Sequence, residues 1–315
     1  MTAILVVRLG AMGDVIHTLP AVASLKHSFP HSHLVWAIES KWAPLLAGNP
    51  YVDEVIAIDR ADFAGLWQTW RRLRRQRFDL AVDFQGLTKS AVVAACAAPE
   101  RIIGFGDSRE SPARWFYSSR VLPPDPIHAV ERYLCLAAGA GASSRLITFP
   151  VSQGTPEGDL PDGEFVLACP EAGWGSKQWP LDNYAALGRL IARDTGMPLV
   201  LNGRRAIATE HTMAHVSSVA GLIHATRRAT AVVGLDSGPL HLAAALGKPG
   251  VAIFGPTDPV RNGPYQSNLA LLRVETAETT YKRGVAPMES MRAISPDMVF
   301  EALRPALVAT RQRRR

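Results

Sequence analysis

The sequence predicts an α/β protein of two doubly wound domains, each a parallel sheet covered by helices. Short apolar runs rich in Val, Ile and Leu alternate with longer amphipathic stretches along most of the 315 residues. This alternation is typical of parallel sheets with helices on their faces. The length exceeds what one hydrophobic core usually holds, so two domains are expected. A segment dense in Pro, Gly and acidic residues, 150–163, marks the boundary between them.

The first half begins with an apolar strand that ends at a tight turn, Gly10 to Gly13, and a helix follows. The predicted strands are residues 4–9, 33–38, 55–58, 80–84 and 101–105. The predicted helices are residues 15–27, 41–47, 63–77, 88–98 and 128–138. Helix 63–77 carries five arginines beside one apolar stripe, which is typical of a helix on a domain surface.

The second half repeats the alternation. The predicted strands are residues 165–169, 198–202, 231–235, 251–254 and 270–274. The predicted helices are residues 181–194, 219–228, 238–246 and 296–310. The stretch 204–217 between the second strand and the second helix is less regular.

The turn Asp236-Ser237-Gly238-Pro239 has the features of an anion site. It ends a buried strand, and Pro suits the first turn of a helix, where N–H groups lack partners. Those N–H groups and the positive end of the helix dipole favour a phosphate, and His241 falls in the same turn. The next predicted strand, 251–254, ends in a turn at 255–258. Two strand ends therefore open on one crevice, where ligands of open α/β sheets bind. An ordinary strand-turn-helix with Asp236 and Ser237 only as caps remains the alternative.

Net charge, the length of the apolar runs and the number of cysteines limit the kinds of partner, compartment and metal site that we expect. The net charge of +6 and the basic tail 311–315 favour acidic partners such as phosphates or lipid headgroups. Nucleic acid is disfavoured because no recognised binding motif accompanies the charge. No apolar run is long enough for a membrane span and no secretory leader is recognisable, so we expect a cytoplasmic protein. Three scattered cysteines fit a reducing compartment, and neither zinc spacing nor a metal-binding carboxylate cluster occurs, so no metal or cofactor is expected.

The first glycine turn makes a nicotinamide cofactor a poor fit. The turn lacks the third glycine of a dinucleotide fingerprint, and Asp14 at the helix start would oppose a pyrophosphate. An anionic ligand therefore belongs in the second domain, where Lys177 can meet the helix start at Ser237. Asp14 is then expected to face the cleft between the domains as a base.

Four motifs together resemble glycosyltransferase family 9, the ADP-heptose:lipopolysaccharide heptosyltransferases. They are residues 8–20, 177–180, 236–241 and 254–259. Residues 109–110, 116–117 and 128–132 are similar to the heptosyltransferase I branch, which adds the first heptose to the Kdo sugar of the inner core. The resemblance covers nearly the whole chain. It implies a GT-B fold of two facing Rossmann-like domains and an inverting, metal-independent transfer from ADP-heptose.

The resemblance also implies domain limits: an acceptor domain at 1–155, a nucleotide-sugar domain at 163–292, and a segment at 293–315 whose helix packs back on the acceptor domain. The implied partners are ADP-heptose, Kdo-lipid A and the cytoplasmic surface of the inner membrane. No nucleic acid is expected.

Site residues follow from matching the motifs position by position. Asp14 resembles the general base, and Lys177 resembles the lysine that binds the donor phosphate. Asp236, Ser237, Gly238 and His241 resemble the donor-binding turn. The stretch 204–217 is too short for the helix and strand that the family usually has there, and Glu210 is a candidate replacement for the family's ribose-binding acid. The acceptor is a carboxylate sugar on a phosphorylated lipid, which makes basic side chains of the first domain candidates for binding it: Arg60, Lys89, Arg109 and Arg120.

Three alternatives remain open at this point. The first is a family 9 transferase with another acceptor, similar to heptosyltransferase II. The second is a non-catalytic protein that binds a sugar nucleotide, which would have no need of Asp14. The third is a nicotinamide-dependent oxidoreductase with Glu39 on the ribose, which the incomplete glycine fingerprint disfavours.

Overall fold

The chain forms two units, each built on its own six-stranded parallel sheet. The computed structural model describes residues 2–59, 63–125, 127–280, 282 and 284–312. Contacts divide it into Met1–Ser152 and Gln153–Arg315. The strand orders are β3-β2-β1-β4-β5-β6 and β12-β11-β10-β7-β8-β9, in the numbering given below. The predicted pair of doubly wound α/β domains is therefore confirmed.

The first unit contains the five predicted strands and one short edge strand that the sequence analysis missed. The strands are β1 Ala3–Val7, β2 His33–Glu39, β3 Glu54–Ile58, β4 Leu80–Asp83, β5 Arg101–Phe105 and β6 Ser119–Val121. The helices are α1 Met12–Ser28, α2 Phe63–Arg75, α3 Thr88–Cys96 and α4 Ala129–Gly139, with 3-10 helices at Ser40–Leu46 and Ser111–Phe116. The central strand β1 is buried from Ile4 onward, as expected for a strand with neighbours on both sides and helices on both faces.

The second unit follows the same plan. The strands are β7 Val166–Cys169, β8 Leu199–Gly203, β9 Thr212–Val216, β10 Ala231–Leu235, β11 Gly250–Ile253 and β12 Leu269–Leu272. The helices are α5 Leu181–Thr195, α6 Val219–Arg228, α7 Gly238–Ala245, α8 Pro259–Asn262, α9 Glu289–Arg292 and α10 Pro296–Gln312, with a 3-10 turn at Gly175–Lys177. Among the described residues, no helix is long and apolar enough to span a bilayer.

The second unit begins about ten residues earlier than the sequence predicts. The Glu157 carboxylate accepts hydrogen bonds from the Ser218 N–H and hydroxyl, both at 2.7 Å, and the Thr155 N–H donates to the Ala220 carbonyl. These contacts attach the linker to the start of α6. Composition alone could not reveal this attachment.

The apolar face of the last helix, α10, packs on the second unit, to which the helix itself belongs. Val299, Phe300, Leu303 and Leu307 are buried in the core of the second unit, against strands and helix α5. The expectation that this helix packs on the first domain is therefore wrong for its apolar face. An amphipathic pattern fixes which face is buried, but it does not say against which sheet.

The connection between β8 and β9 lacks a helix. Strand β9 pairs in parallel with β8 from Leu199 opposite Thr212 to Gly203 opposite Val216. Parallel neighbours are usually joined by a crossover of a dozen or more residues, yet here residues 204–211 suffice. The expectation that this stretch is too short for both a helix and a strand is confirmed, and the strand is the element retained.

Candidate active site

Asp14 lies in the first turn of α1, directly after the carboxyl end of β1. The helix begins at Met12, so Asp14 is inside the helix and is not its N-cap residue. Its Oδ2 accepts a hydrogen bond from the Ala11 N–H at 3.3 Å. The side chain is 44% exposed, so the carboxylate is open to solvent. An acid in the first turn is favoured by the helix dipole.

Arg8, directly after β1, forms a salt bridge with Asp14. Its Nη2 lies 2.6 Å from Asp14 Oδ2, and its Nη1 donates to the Phe84 carbonyl at 2.6 Å. The Arg8 side chain is 6% exposed. Burial would lower the pKa of this guanidinium, but the negative charge of Asp14 is the main cause that outweighs burial and raises the pKa. The Asp14 carboxylate is thus held by a cation that remains charged.

Tyr133 of α4 contacts both members of this pair. Its hydroxyl donates to Asp14 Oδ1 at 3.3 Å, and the Arg8 guanidinium lies 5.2 Å from the ring centre. Burial is the main cause of a raised pKa of the Tyr133 hydroxyl, against which Arg8 acts. The phenol therefore keeps its proton and acts as a hydrogen-bond donor. The two Asp14 oxygens have separate partners, which fixes the plane of the carboxylate.

The basic candidates of the first unit are only partly brought together. Lys89, in the first turn of α3, and Arg109, in the loop after β5, are brought near each other because Glu110 accepts a hydrogen bond from the Thr88 N–H at 2.8 Å. Lys89 Nζ also lies 3.6 Å from Glu39. Arg120 is exposed on the edge strand β6, beside Gly106 at the start of the loop that carries Arg109. Arg60 lies outside the described residues.

Lys177 and Asp236 form the centre of the second unit's site. Lys177 lies in the turn after β7, and its Nζ is 2.5 Å from Asp236 Oδ2 at the end of β10. Thr257 Oγ1 donates to the same Asp236 oxygen at 2.7 Å. The Lys177 and Asp236 side chains are 15% and 7% exposed. A lysine with little contact with water interacts more strongly with an incoming phosphate than a solvated one would.

The predicted phosphate turn has the expected backbone, but its serine does not cap. Ser237 occupies the N-cap position of α7, yet its side chain makes no capping bond. Its buried Oγ has no hydrogen-bond partner among the described residues. An unpaired buried hydroxyl is costly and is usually explained by a ligand or an ordered water. Pro239 has no N–H and the Leu240 N–H donates to the Ser237 carbonyl at 3.1 Å, so the Gly238 N–H is the backbone donor that can join this hydroxyl in binding an anionic oxygen.

His241 belongs to the same cluster. It is buried in the first turn of α7, and its Nε2 lies 3.8 Å from Asp236 Oδ1. The four residues predicted for the donor turn, Asp236, Ser237, Gly238 and His241, are therefore grouped at the carboxyl end of β10, within reach of Lys177.

The turn that carries Lys177 is clamped by the segment before α9. The Ser176 N–H donates to the Gly284 carbonyl at 3.1 Å, and the Met288 N–H donates to the Ser176 carbonyl. A Cβ at Gly175 would lie 2.0 Å from the Val285 carbonyl oxygen, so only glycine fits there. This close backbone approach sets the position of Lys177.

Glu210 is not part of this site. It is exposed in the 204–211 connection, two residues before β9 begins. All strands of the sheet are parallel and β9 lies three positions from β10, so Glu210 is at the edge opposite the donor turn and more than one strand length, roughly 15 Å, away. The acid on the correct edge is Glu171, just after β7, whose Oε2 accepts from the Arg204 N–H at 3.3 Å. The prediction for Glu210 is thus corrected by the direction of the strands.

Four side chains of these two clusters received no role from the sequence alone: Arg8, Tyr133, Glu171 and Thr257. Arg8 and Thr257 lie within recognisable motifs, but their functions depend on which carboxylate they meet. Tyr133 is 119 positions away from Asp14 along the chain, and only folding brings the two together. Within the described ranges, no three His, Cys, Asp or Glu side chains come together as a metal site.

Comparison with known proteins identifies the family. The model of glycosyltransferase family 9 (heptosyltransferase) matches residues 66–291, which include Lys177 and the whole donor turn. The chain belongs to this family. It is therefore a glycosyltransferase.

Curated family 9 relatives match along most of their length. Lipopolysaccharide heptosyltransferase 1 of Pseudomonas aeruginosa is 31% identical over 293 residues, covering 83% of this chain and 81% of the relative. Lipopolysaccharide heptosyltransferase 1 of Escherichia coli K12 is 28% identical, covering 95% and 98%.

Solved structures agree with the GT-B fold. The E. coli heptosyltransferase WaaC with ADP superposes with a TM-score of 0.79 at 24% identity, covering 97% of this chain and 100% of that one. The same enzyme with ADP-2-deoxy-2-fluoro heptose gives a TM-score of 0.74 at 25% identity, covering 95% and 98%.

Proposed function

We propose that this family 9 enzyme transfers heptose from ADP-heptose to the Kdo sugar of the lipopolysaccharide inner core, with inversion and without a metal. The observation that carries the donor half is the Lys177–Asp236 ion pair next to Ser237 at the start of α7, whose buried hydroxyl has no hydrogen-bond partner among the described residues. Cationic and N–H donors at a helix start suit a diphosphate, the leaving group of a nucleotide sugar. Relatives named for heptose transfer, and a neighbour solved with an ADP-heptose analogue, support that donor.

The acceptor half of the proposal depends on Asp14. In a direct displacement the acceptor hydroxyl loses its proton as the diphosphate leaves, so an accessible carboxylate is needed on the acceptor side. Asp14 combines solvent exposure with two fixed partners, Arg8 and Tyr133. Attack on the sugar carbon from the face opposite the leaving ADP inverts that carbon, and the Asp14 carboxylate takes the hydroxyl proton.

The other charged side chains have proposed roles in binding the leaving ADP and the acceptor. Lys177, the Gly238 N–H and the positive end of the α7 dipole stabilise the ADP as it leaves, in the role that a divalent cation would otherwise have. Asp236 orders Lys177 and accepts bonds from sugar hydroxyls. Lys89 and Arg109, which the Glu110–Thr88 hydrogen bond brings near each other, bind acidic groups of the acceptor, together with Arg60 and Arg120. The chain works at the cytoplasmic face of the inner membrane, where a lipid-linked acceptor is presented.

The test is direct incubation with ADP-heptose and Kdo-lipid A, with other sugar nucleotides as donor controls and a heptosylated acceptor in parallel. We expect transfer only from ADP-heptose and only to the acceptor that lacks heptose. Transfer to the heptosylated acceptor alone would favour a heptosyltransferase 2 activity, since relatives of that name are 28% identical over 96–97% of this chain. ADP-heptose binding without transfer to either acceptor would favour a non-catalytic binding protein.

A further inference from the structure

Helix α2 has an exposed face that its own unit does not bury. Trp67, Trp70, Arg71 and Arg74 are spaced i, i+3, i+4 and i+7, so they share one side of the helix. We call these four residues the Trp–Arg face. Trp67 is 52% and Trp70 is 38% exposed, and both arginines are exposed. Leu73, which is buried in the core, attaches α2 to the sheet and leaves the Trp–Arg face to the solvent.

The aromatic and basic parts of this face are both available to a partner. The two indole rings stack with centres 4.6 Å apart and planes 27° from parallel. In the described part of the chain, neither Arg71 nor Arg74 has a salt-bridge partner, whereas Arg72 on another side of α2 pairs with Glu54 at 2.7 Å. Two exposed tryptophans beside two uncompensated arginines are an unusual surface for a domain that meets only water.

We propose that the Trp–Arg face docks on the surface of an anionic lipid bilayer. Tryptophan is enriched at the level of lipid headgroups, because its ring is largely apolar and its N–H can stay hydrated. Arginines at that level gain from the negative potential of anionic lipids. A helix with both along one side, and with its opposite stripe held by a protein core, lies in the plane of the membrane surface. The docking deepens the proposed function, because it rests on an acceptor that is lipid-linked.

Further exposed apolar side chains lie on the same layer of the first unit. Helices α2 and α3 and the 3-10 helix Ser111–Phe116 cover one side of the sheet, whereas α1 and α4 pack together on the other side. On the first of these layers Val92 is 41% and Trp115 is 82% exposed. Apolar exposure is thus not confined to α2, as expected for a layer that rests on an extended surface.

Nucleic acid is the other polyanion that tryptophan and arginine can bind, and the geometry favours the bilayer. Bases bind by stacking on a free aromatic face. Trp67 and Trp70 already stack on each other, so the ring faces between them are occupied and only their outer faces are left for bases. Insertion between headgroups does not depend on those inner faces.

The test measures vesicle binding with no donor or acceptor present, so it is independent of transfer activity. The full chain is mixed with vesicles of equal parts phosphatidylglycerol and phosphatidylcholine that carry brominated acyl chains, which quench tryptophan at short range. Co-sedimentation gives the affinity and quenching reports depth. The variants are R71Q/R74Q, W67A/W70A and W67F/W70F. The charge-matched control is R189Q/R193Q, two exposed arginines of α5 in the second unit.

We expect the R71Q/R74Q variant to bind about 30-fold more weakly, since each arginine near such a surface contributes about 1 kcal/mol. The W67A/W70A variant should lose both binding and quenching. The W67F/W70F variant should bind but lose most of the quenching, because aromatic area remains while the fluorophores are removed. The control variant should behave as the wild type does.

Three results would overturn the proposal. The first is equal weakening by the α5 control, which would indicate only net charge. The second is undiminished vesicle binding of both the R71Q/R74Q variant and the W67A/W70A variant. The third is complete loss of binding on deletion of the basic tail, residues 311–315, with the Trp–Arg face intact. If single-stranded DNA binds more tightly than the vesicles and displaces the protein from them, the partner is nucleic acid and the bilayer is wrong.

Discussion

The Arg8 guanidinium, 6% exposed, lies 2.6 Å from the carboxylate of Asp14, which is 44% exposed. One partner is buried and the other faces water. The pair therefore fixes the Asp14 oxygens without removing them from a substrate. It also ties the chemistry of Asp14 to the stability of the first unit, because a buried arginine without its counter-ion is destabilising.

Replacing Asp14 with Asn should lower both turnover and stability. Loss of a general base costs on the order of 10²- to 10⁴-fold in turnover, whereas donor affinity should barely change, since Lys177 is the residue proposed to bind the ADP. The melting temperature should fall, because Arg8 loses its counter-ion. The matched control is the double variant R8M/D14N, in which stability should recover while turnover stays low. Wild-type turnover in D14N would assign the base role to another residue.

Replacing Tyr133 with Phe isolates the second Asp14 contact. The ring that packs against Arg8 is retained and only the hydroxyl donor at 3.3 Å is lost. We expect turnover to fall roughly 3- to 10-fold, the equivalent of about one hydrogen bond, with an unchanged KM for the donor. Steady-state kinetics at saturating acceptor provide the measurement. A change in donor KM without a change in kcat would contradict a positioning role at Asp14.

Lys177 and Asp236 should behave as a coupled pair. K177M should greatly weaken ADP-heptose turnover and should also destabilise the fold, because Asp236 is left buried with one partner fewer. Breaking such a pair costs roughly 3–5 kcal/mol. In K177M/D236N the stability loss should be smaller than the sum of the single losses, while activity remains low. Additive stability changes would mean that the contact is energetically unimportant.

The two glycines of the lysine turn provide a test with its own control. G175A should raise the donor KM, because the new methyl group meets the Val285 carbonyl and displaces Lys177. G173A, two positions earlier, has nothing within 4 Å of its new Cβ and should be nearly silent. Similar kinetics for both variants would show that the clamp on the turn does not matter for donor binding.

Removal of divalent metal should leave the reaction intact. The proposed charge stabilisation comes from Lys177 and backbone N–H groups, so turnover in excess EDTA should equal that in untreated enzyme. The control is addition of magnesium to the treated enzyme, which should change nothing. Loss of activity in EDTA and its return with magnesium would contradict the metal-free mechanism.

Most of the fold was predictable because local patterns of apolar residues along the sequence indicate strands and helices. Continuous apolar runs of Val, Ile and Leu indicate strands buried on both faces, and ten of the twelve strands in the described part of the chain were predicted from such runs. The two that were missed, β6 and β9, are edge strands. Only one side of an edge strand is paired, and β9 has Met213 42% and Val216 44% exposed, so neither strand needs a continuous apolar pattern.

The residues next to the strand ends were predictable for a related reason. Asp14, Lys177 and Asp236 each follow a strand or lie in the first turn after it, and parallel strands bring their carboxyl ends to one edge of their sheet. Glu210 fails the same rule, because it precedes its strand instead of following it. Without β9 in the prediction, that error could not be seen in the sequence.

By itself the sequence determined the fold class, the family and the grouping of the donor turn, because each depends on residues near one another along the chain. The tertiary structure alone decided which side chains hold the reactive ones. Tyr133 meets Asp14 across 119 positions, and Thr257 meets Asp236 across 21. It also decided that α10 packs on its own unit and that Trp67 and Trp70 face outward. Burial and contact depend on which surfaces meet, and an amphipathic or motif pattern does not specify its partner.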